Sequence, residues 1–373
     1  MKRIAAIILA WVLTVSTAVC WAIPPAYGEA DMAPPVQKSL FLKVSSITFS
    51  LVGESDDIYL GLVPRELVSW ESEDPGIVSV EGGVLTAKGV GTTTIRATYN
   101  DRQVSCAASC LAQTQEELTK LDPEILSAPK RLPPEVDLSE PCTFYDDSVM
   151  IGDSITYFLW QFESTNDHLG QMAFVSRQGV SLHSLVNRSK NMYYEGHEMY
   201  IEDIIASVGA SRVYILLGCL DFQVPASTLT LMDHWQELFD KIQEKAPEKE
   251  IVIISNIPGY SALTIPTKYN RNVAEAAPKL RQLAAERGYG YLDLGYYVED
   301  HYGRMPQSYS KDEFHMNSQG NLVWTEVLRF YALFESEGGS LLPQIDSKLS
   351  QPPHRRKKIT GFDTQKTEGE STI

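Results

Sequence analysis

Three side chains that stand far apart in the chain could together carry out acyl transfer: Ser154, Asp312 and His315. A serine hydroxyl is a weak nucleophile until a base removes its proton, and an imidazole does that best when a carboxylate fixes its orientation. The spacing suits the chemistry. Ser148-Val-Met-Ile-Gly-Asp-Ser154 sets a short apolar run directly before Gly152-Asp153-Ser154, which reads as a buried strand that delivers a serine to a turn. Asp312-Glu313-Phe314-His315 supplies an acid and an imidazole three residues apart. The plain alternatives are that Gly-Asp-Ser is a helix cap, that Asp312 only caps the last helix, and that His315 is a surface histidine. Against the second, Asn317-Ser318 offers better caps for that helix.

Positioning these groups requires a scaffold, and the pattern from about Phe144 onward provides one. Apolar runs at 149–152, 173–176, 213–217, 251–255 and 289–294 read as strands, and periodic segments at 231–245, 269–287 and 318–334 read as helices. Uninterrupted strands such as Ile251-Val252-Ile253-Ile254 imply a parallel sheet covered on both faces, hence an α/β/α three-layer domain of flavodoxin-like type with five strands. In such sheets ligands bind beyond the carboxyl ends of the strands. Ser154 follows the first strand, Gly179 the second, Gly218 to Asp221 the third, and the Asp312–His315 pair precedes the last helix, so every candidate falls on one edge. Asp153, Gly218 and Asp221 are read as loop supports, and Cys219 as a small buried filler. Trp160, Tyr157 and Phe158 either line a cleft or, for at least two of them, fill the helix core.

Residues 38–112 follow a different rule. Short alternating runs at 46–49, 58–60, 68–70, 77–80, 84–87 and 93–99, punctuated by Gly82-Gly83 and Gly89-Val90-Gly91, predict a small all-β sandwich with Trp70 in its core. Residues 113–142, with Pro123, Pro129, Pro133, Pro134 and Pro141, read as a linker with one helical turn near 116–121, and the polar stretch 338–373 as a disordered tail. Lys2-Arg3 followed by apolar residues from Ile4 to Ile23 resembles a signal peptide within residues 1–30; a retained N-terminal anchor is the alternative, with cleavage set slightly ahead.

The chain has 373 residues, 43% of them hydrophobic and 21% charged, with a formal net charge of -16. That charge argues against nucleic acid as a partner. Among five cysteines, Cys106 and Cys110 are the closest pair, and export would permit a disulfide between them. There is no CxxC pair and no HExxH, so no metal is expected, and the acyl-transfer chemistry needs no cofactor.

The residues from 143 to 337 resemble the SGNH hydrolases, also called the GDSL esterase family. Gly152-Asp153-Ser154 matches the nucleophile block, Gly179 the second-block glycine, and Asp312-x-x-His315 the acid and base, while Gly218-Cys219-Leu220-Asp221 occupies the place of a Gly-x-Asn-Asp block. The resemblance implies Ser154 as nucleophile, His315 as base, Asp312 as its orienting acid, and the N–H groups of Ser154 and Gly179 as an oxyanion hole. It departs at Leu220, where the family carries a side-chain amide; Asn256 is a possible substitute donor. The segment Trp70 to Ile95, with its Glu73-Asp74-Pro75, Gly83-Val84-Leu85-Thr86-Ala87 and Gly91-Thr92-Thr93-Thr94 runs, resembles the bacterial immunoglobulin-like group 2 domain. Together these imply an exported or cell-surface esterase that removes acyl groups, O-acetyl foremost, from carbohydrate or related esters, with the β-sandwich as spacer or polysaccharide contact. Two alternatives remain: an O-acyltransferase using the same serine, and a surface binding protein with a degenerate hydrolase domain. Any membrane contact would run through the N-terminal segment.

Overall fold

Strand Ser148–Gly152 lies inside the sheet of the α/β half, with a neighbour on each side, and all five of its residues are buried. The computed structural model describes residues 40–336 apart from 62, 224–227 and 264–266; the expected leader at 1–30 and tail at 338–373 lie outside the described residues.

The first half is all-β. Strands β1 (Ser46–Leu51), β2 (Ser55–Asp57), β3 (Ser69–Ser72), β4 (Val78–Glu81), β5 (Val84–Ala87), β6 (Gly91–Tyr99) and β7 (Arg102–Ala112) divide between two sheets, one ordered β3-β6-β7-β1 and one β2-β5-β4. Alternation sets the inward face: Ile95 and Ala97 of β6, and Cys106, Ala108 and Cys110 of β7, are buried with Ile47, Phe49, Val78 and Leu85 in one cluster. The β6–β7 hairpin turns on Asn100 and Asp101, both at positive φ, the geometry whose twist matches the flanking strands. Three expectations change here. Strand β2 falls at 55–57 rather than 58–60, and Leu60 contributes only an isolated bridge to Leu42. Trp70 is half-buried against the core rather than within it. Cys106 and Cys110 are free thiols, since four residues along one strand separate them by about 13 Å, beyond disulfide reach.

Residues 113–142 carry more structure than a linker would. They form helices α1 (Gln115–Leu118) and α2 (Pro123–Leu126), capped by Thr114 and Asp122, and then β8 (Arg131–Leu132), which pairs antiparallel with β1 and completes its sheet. Lys130 then donates from its N–H to Glu299 O at 2.8 Å, which joins this segment to the second half.

The second half alternates β9 (Ser148–Gly152), α3 (Ser154–Asn166), β10 (Ala173–Ser176), α4 (Leu182–Val186), the hairpin β11 (Met192–Tyr194) and β12 (His197–Met199), α5 (Ile201–Ser207), β13 (Arg212–Leu216), α6 (Thr228–Lys245), β14 (Glu250–Ile254), α7 (Lys268–Glu286), β15 (Gly290–Leu292) and α8 (Ser318–Ser336). The sheet order is β10-β9-β13-β14-β15 and every pairing is parallel. The near-continuous burial of β9, β13, β14 and β15 is what helices on both faces demand.

The two halves share one compact unit. Tyr296 is held between the Lys43 ammonium, 3.8 Å from its ring centre, and the Arg131 guanidinium at 4.2 Å, while Arg131 Nε donates to Asp56 at 2.8 Å. Phe41 meets Phe330 edge to face at 5.2 Å, and the Tyr297 hydroxyl donates to Lys43 O. Among the described residues no helix is long and apolar enough to cross a membrane.

Candidate active site

Gly152 ends β9 where any side chain would overlap Thr156 Oγ1 and the Leu216 carbonyl, so glycine is required for the chain to turn there. Asp153 follows and caps α3: its Oδ1 accepts from Ile155 N–H at 3.0 Å, and Oδ2 accepts from Cys219 N–H at 3.3 Å. This carboxyl is almost wholly buried, and burial, with a smaller push from Asp221, raises its pKa to about 7 against the N–H bonds from Ile155, Cys219 and Gly218. Ser154 is thereby the first residue of α3, at the positive end of a 13-residue helix.

Asp312 and His315 reach Ser154 from a short loop closed by a Ser310–Met316 bridge. Asp312 Oδ1 accepts from the N–H groups of Phe314 and His315, both at 2.9 Å, a local turn that sets the carboxylate beside its own imidazole. His315 Nδ1 lies 2.8 Å from Asp312 Oδ2, and His315 Nε2 lies 2.8 Å from Ser154 Oγ. With Nδ1–H donating its hydrogen bond to Asp312, the Nε2 lone pair is free to accept the serine proton. Burial alone would raise the Asp312 carboxyl, but the N–H of Phe314, the His315 ring and the His315 N–H outweigh it and hold it below the ordinary value. The last helix takes its cap from Asn317, whose Oδ1 accepts from Gly320 N–H, and Asp312 plays no part in that cap.

The supporting residues converge on the same edge. Asp221 accepts from Leu182 N–H at 2.7 Å and His183 N–H at 2.9 Å, which ties the loop after β13 to the start of α4. Gly179, just before that helix, has φ of +74° and open space where a Cβ would stand. Its carbonyl accepts from Lys190 Nζ at 2.5 Å. Leu220 brings no donor to the loop after β13. Asn256 Nδ2 gives one of its two N–H groups to the Leu217 carbonyl at 2.9 Å in a buried position, so the amide braces the end of β13. Cys219 is buried, and burial pushes its thiol up to about 12, which rules it out as a thiolate nucleophile near neutral pH. Among the described residues no three His, Cys, Asp or Glu side chains gather to hold a metal ion.

Tyr157, Phe158 and Trp160 are not helix core. Ile155 and Leu159 take the inward positions of α3, while Trp160 is 43% exposed and the other two are half-buried. Phe158 lies against the His315 ring, centroids 4.7 Å apart, with the Lys311 ammonium 3.7 Å from the Phe158 ring centre. Sequence reasoning did not find these two contacts; helical spacing from Ser154 was the only available signal.

Residues 150–323 match the model of the GDSL-like lipase/acylhydrolase family. This part of the chain is therefore similar to a GDSL-like lipase/acylhydrolase domain, and the match includes Ser154, Asp312 and His315. No curated protein matches the chain. Among solved structures, it is similar to a GDSL-like lipase from Bacteroides thetaiotaomicron at 12% identity and a TM-score of 0.40, covering 53% of this chain and 93% of that one. It is likewise similar to a member of the lipolytic protein G-D-S-L family from Veillonella parvula at 15% identity and a TM-score of 0.36, covering 50% and 96%. A carbohydrate esterase family 3 protein from Talaromyces cellulolyticus aligns at 12% identity and a TM-score of 0.36, covering 51% and 98%.

Proposed function

We propose that this protein is an extracytoplasmic serine esterase that removes acyl groups, O-acetyl foremost, from carbohydrate or related esters. The single observation that carries the reading is the unbroken hydrogen-bonded line from Asp312 through His315 to Ser154, with both imidazole contacts at 2.8 Å. In this reading Ser154 Oγ attacks the ester carbonyl while His315 Nε2 takes its proton, and the oxyanion forms against the N–H groups of Ser154 and Gly179 at the positive end of α3. His315 then returns the proton to the departing alcohol and leaves an acyl-enzyme. Water, deprotonated by the same imidazole, attacks the acyl carbon, and the proton goes back to Ser154 as the acid leaves. Asp312, held ionised, stabilises the imidazolium in both steps.

The resemblance of the first half to the immunoglobulin-like group 2 domain, and of the N-terminus to a signal peptide, supports a role outside the cytoplasm. Leu220 favours a second reading, a surface binding protein whose hydrolase site is weakened, because a missing oxyanion donor costs roughly 100- to 1000-fold in rate. One experiment separates the two. The esterase reading expects covalent labelling by a fluorophosphonate and turnover of p-nitrophenyl acetate, both abolished in Ser154→Ala. Folded wild-type protein that gives neither signal would overturn it in favour of binding alone.

A further inference from the structure

The His315 imidazole is hydrogen-bonded at both nitrogens, to Asp312 at 2.8 Å and to Ser154 at 2.8 Å. Bonds to ring nitrogens run along the ring plane, so they set the reach of the imidazole and leave it able to rock about the line that joins them. A rigid neighbour packed against the ring removes that freedom, and Phe158 is in the position to do so, its ring centroid 4.7 Å from that of His315 and its plane inclined by 60°. The helix puts it there. Phe158 stands four residues after Ser154 in α3, about 6 Å further along the axis on the same face, and a helical side chain leans back over the preceding turn. Two residues of the acid–base loop meet this one ring: Lys311 N–H donates to the His315 carbonyl at 2.8 Å, and the Lys311 ammonium lies 3.7 Å from the Phe158 centroid. Tyr157 packs on it too, centroids 5.6 Å apart. Elsewhere the loop is tied through Glu313, whose carbonyl accepts from Tyr260 N–H at 2.8 Å, and through Phe314, whose ring lies 5.1 Å from that of Tyr269. Those contacts anchor the loop, whereas Phe158 touches the reacting ring itself.

We infer that Phe158 is a positioning residue for the base: its ring holds the His315 imidazole at the angle at which Nε2 meets the serine proton, and Lys311 holds the Phe158 ring in that place. The nucleophile and the wall for its base thus come from one turn of one helix, so their separation is fixed by the backbone. The same imidazole serves both acyl transfer steps, and both depend on its angle. A ring that merely filled space could be exchanged for any apolar side chain of similar size, whereas a wall needs a rigid one. The inference rests on the reading of Ser154 as nucleophile and His315 as base, and adds to it the residue that aligns them.

The test compares Phe158→Leu and Phe158→Met, which keep apolar bulk without a ring, with Phe158→Tyr, which keeps the ring. With p-nitrophenyl acetate, kcat should fall about ten- to hundredfold in the first two, because a misplacement on the order of 1 Å carries a cost of about that size, while KM stays within about twofold. The rate of fluorophosphonate labelling, which uses the same base, should fall by the same factor. Phe158→Tyr should remain within about threefold of wild type on both measures. Lys311→Met should lower kcat about two- to fivefold in the wild type and have no effect in the Phe158→Leu background, since it acts through the ring. Folded Phe158→Leu or Phe158→Met protein with wild-type kcat, Phe158→Tyr as slow as either, or a Lys311→Met loss that persists without the ring would each overturn the inference. Failure of the esterase reading would be seen separately, as turnover that survives Ser154→Ala.

Discussion

A serine meets a histidine at two places among the described residues, once at the sheet edge and once at the junction of the two halves. Ser154 Oγ lies 2.8 Å from His315 Nε2, and Ser50 Oγ lies 2.9 Å from His301 Nδ1. The distances are nearly the same, yet the surroundings are opposite. His315 has a carboxylate on its other nitrogen, and its serine opens a helix. His301 has Lys130 and Arg131 near it; burial first, and those two cations after it, lower its pKa to about 4. An imidazole in a cationic, desolvated place gains nothing by taking a proton, so the second pair is a structural hydrogen bond. Contact between hydroxyl and imidazole is therefore not sufficient for a nucleophile; the charge next to the ring decides.

The largest expected effect tests that difference directly. Asp312→Asn should slow p-nitrophenyl acetate turnover by about 1,000- to 10,000-fold, because the wrong tautomer then faces Ser154, whereas Ser50→Ala should leave the fluorophosphonate labelling rate intact. Equal losses in the two variants would erase the distinction between the sites. Next in size is a gain. Leu220→Asn should raise kcat by about tenfold or more, within the 100- to 1000-fold that one oxyanion donor is worth, with KM nearly constant. A rate that does not rise would mean that position 220 does not face the developing charge.

At the junction, Tyr296→Ala removes a ring held by two cations and should cost about 2–4 kcal/mol, read as a lowered denaturant midpoint in a single transition. Two separated transitions in the wild type would instead mean that the halves fold independently. The smallest effect is the pH dependence of His301. Its folded pKa of about 4 lies below the ordinary 6.5, so as pH falls from 6.5 towards 4 the unfolded chain takes up the proton first and stability is lost. The raised carboxyls of Asp153, about 7, and Asp300, about 6, act in the opposite sense, gaining stability as pH falls through those values. Chemical denaturation of wild type and His301→Gln across pH 4 to 7 should isolate the histidine part as a difference of at most about 3 kcal/mol that vanishes above pH 6.5. A difference that persists at pH 7 would assign the effect to packing.

Much of the site was legible because its signals are local. Gly152-Asp153-Ser154 follows an apolar run, and Asp312 with His315 sits within one turn, so strand end, cap and acid–base pair could each be read from a few neighbours. The helices at 228–245, 268–286 and 318–336 were legible for the same reason, their periodicity being carried by the chain itself. The fold of residues 113–142 was not, because two short helices and a two-residue strand have little intrinsic preference and take their form from β1 and Glu299. Nor was the outward turn of Trp160, since an aromatic residue in a helix reads as core until its neighbours are known.

By itself, then, the sequence determined which residues are candidates for nucleophile, acid and base and their order along the chain, the parallel sheet, and the want of an amide at position 220. Only the tertiary structure decided that 154, 312 and 315 meet at hydrogen-bond distance, that Asn256 braces the end of β13 through the Leu217 carbonyl, that the β half is packed onto the α/β half, and which of two serine–histidine contacts has a carboxylate behind it. The reason is physical: propensity and periodicity act over a few residues, whereas hydrogen-bond partners, desolvation and charge are properties of whatever atoms folding brings within a few ångströms.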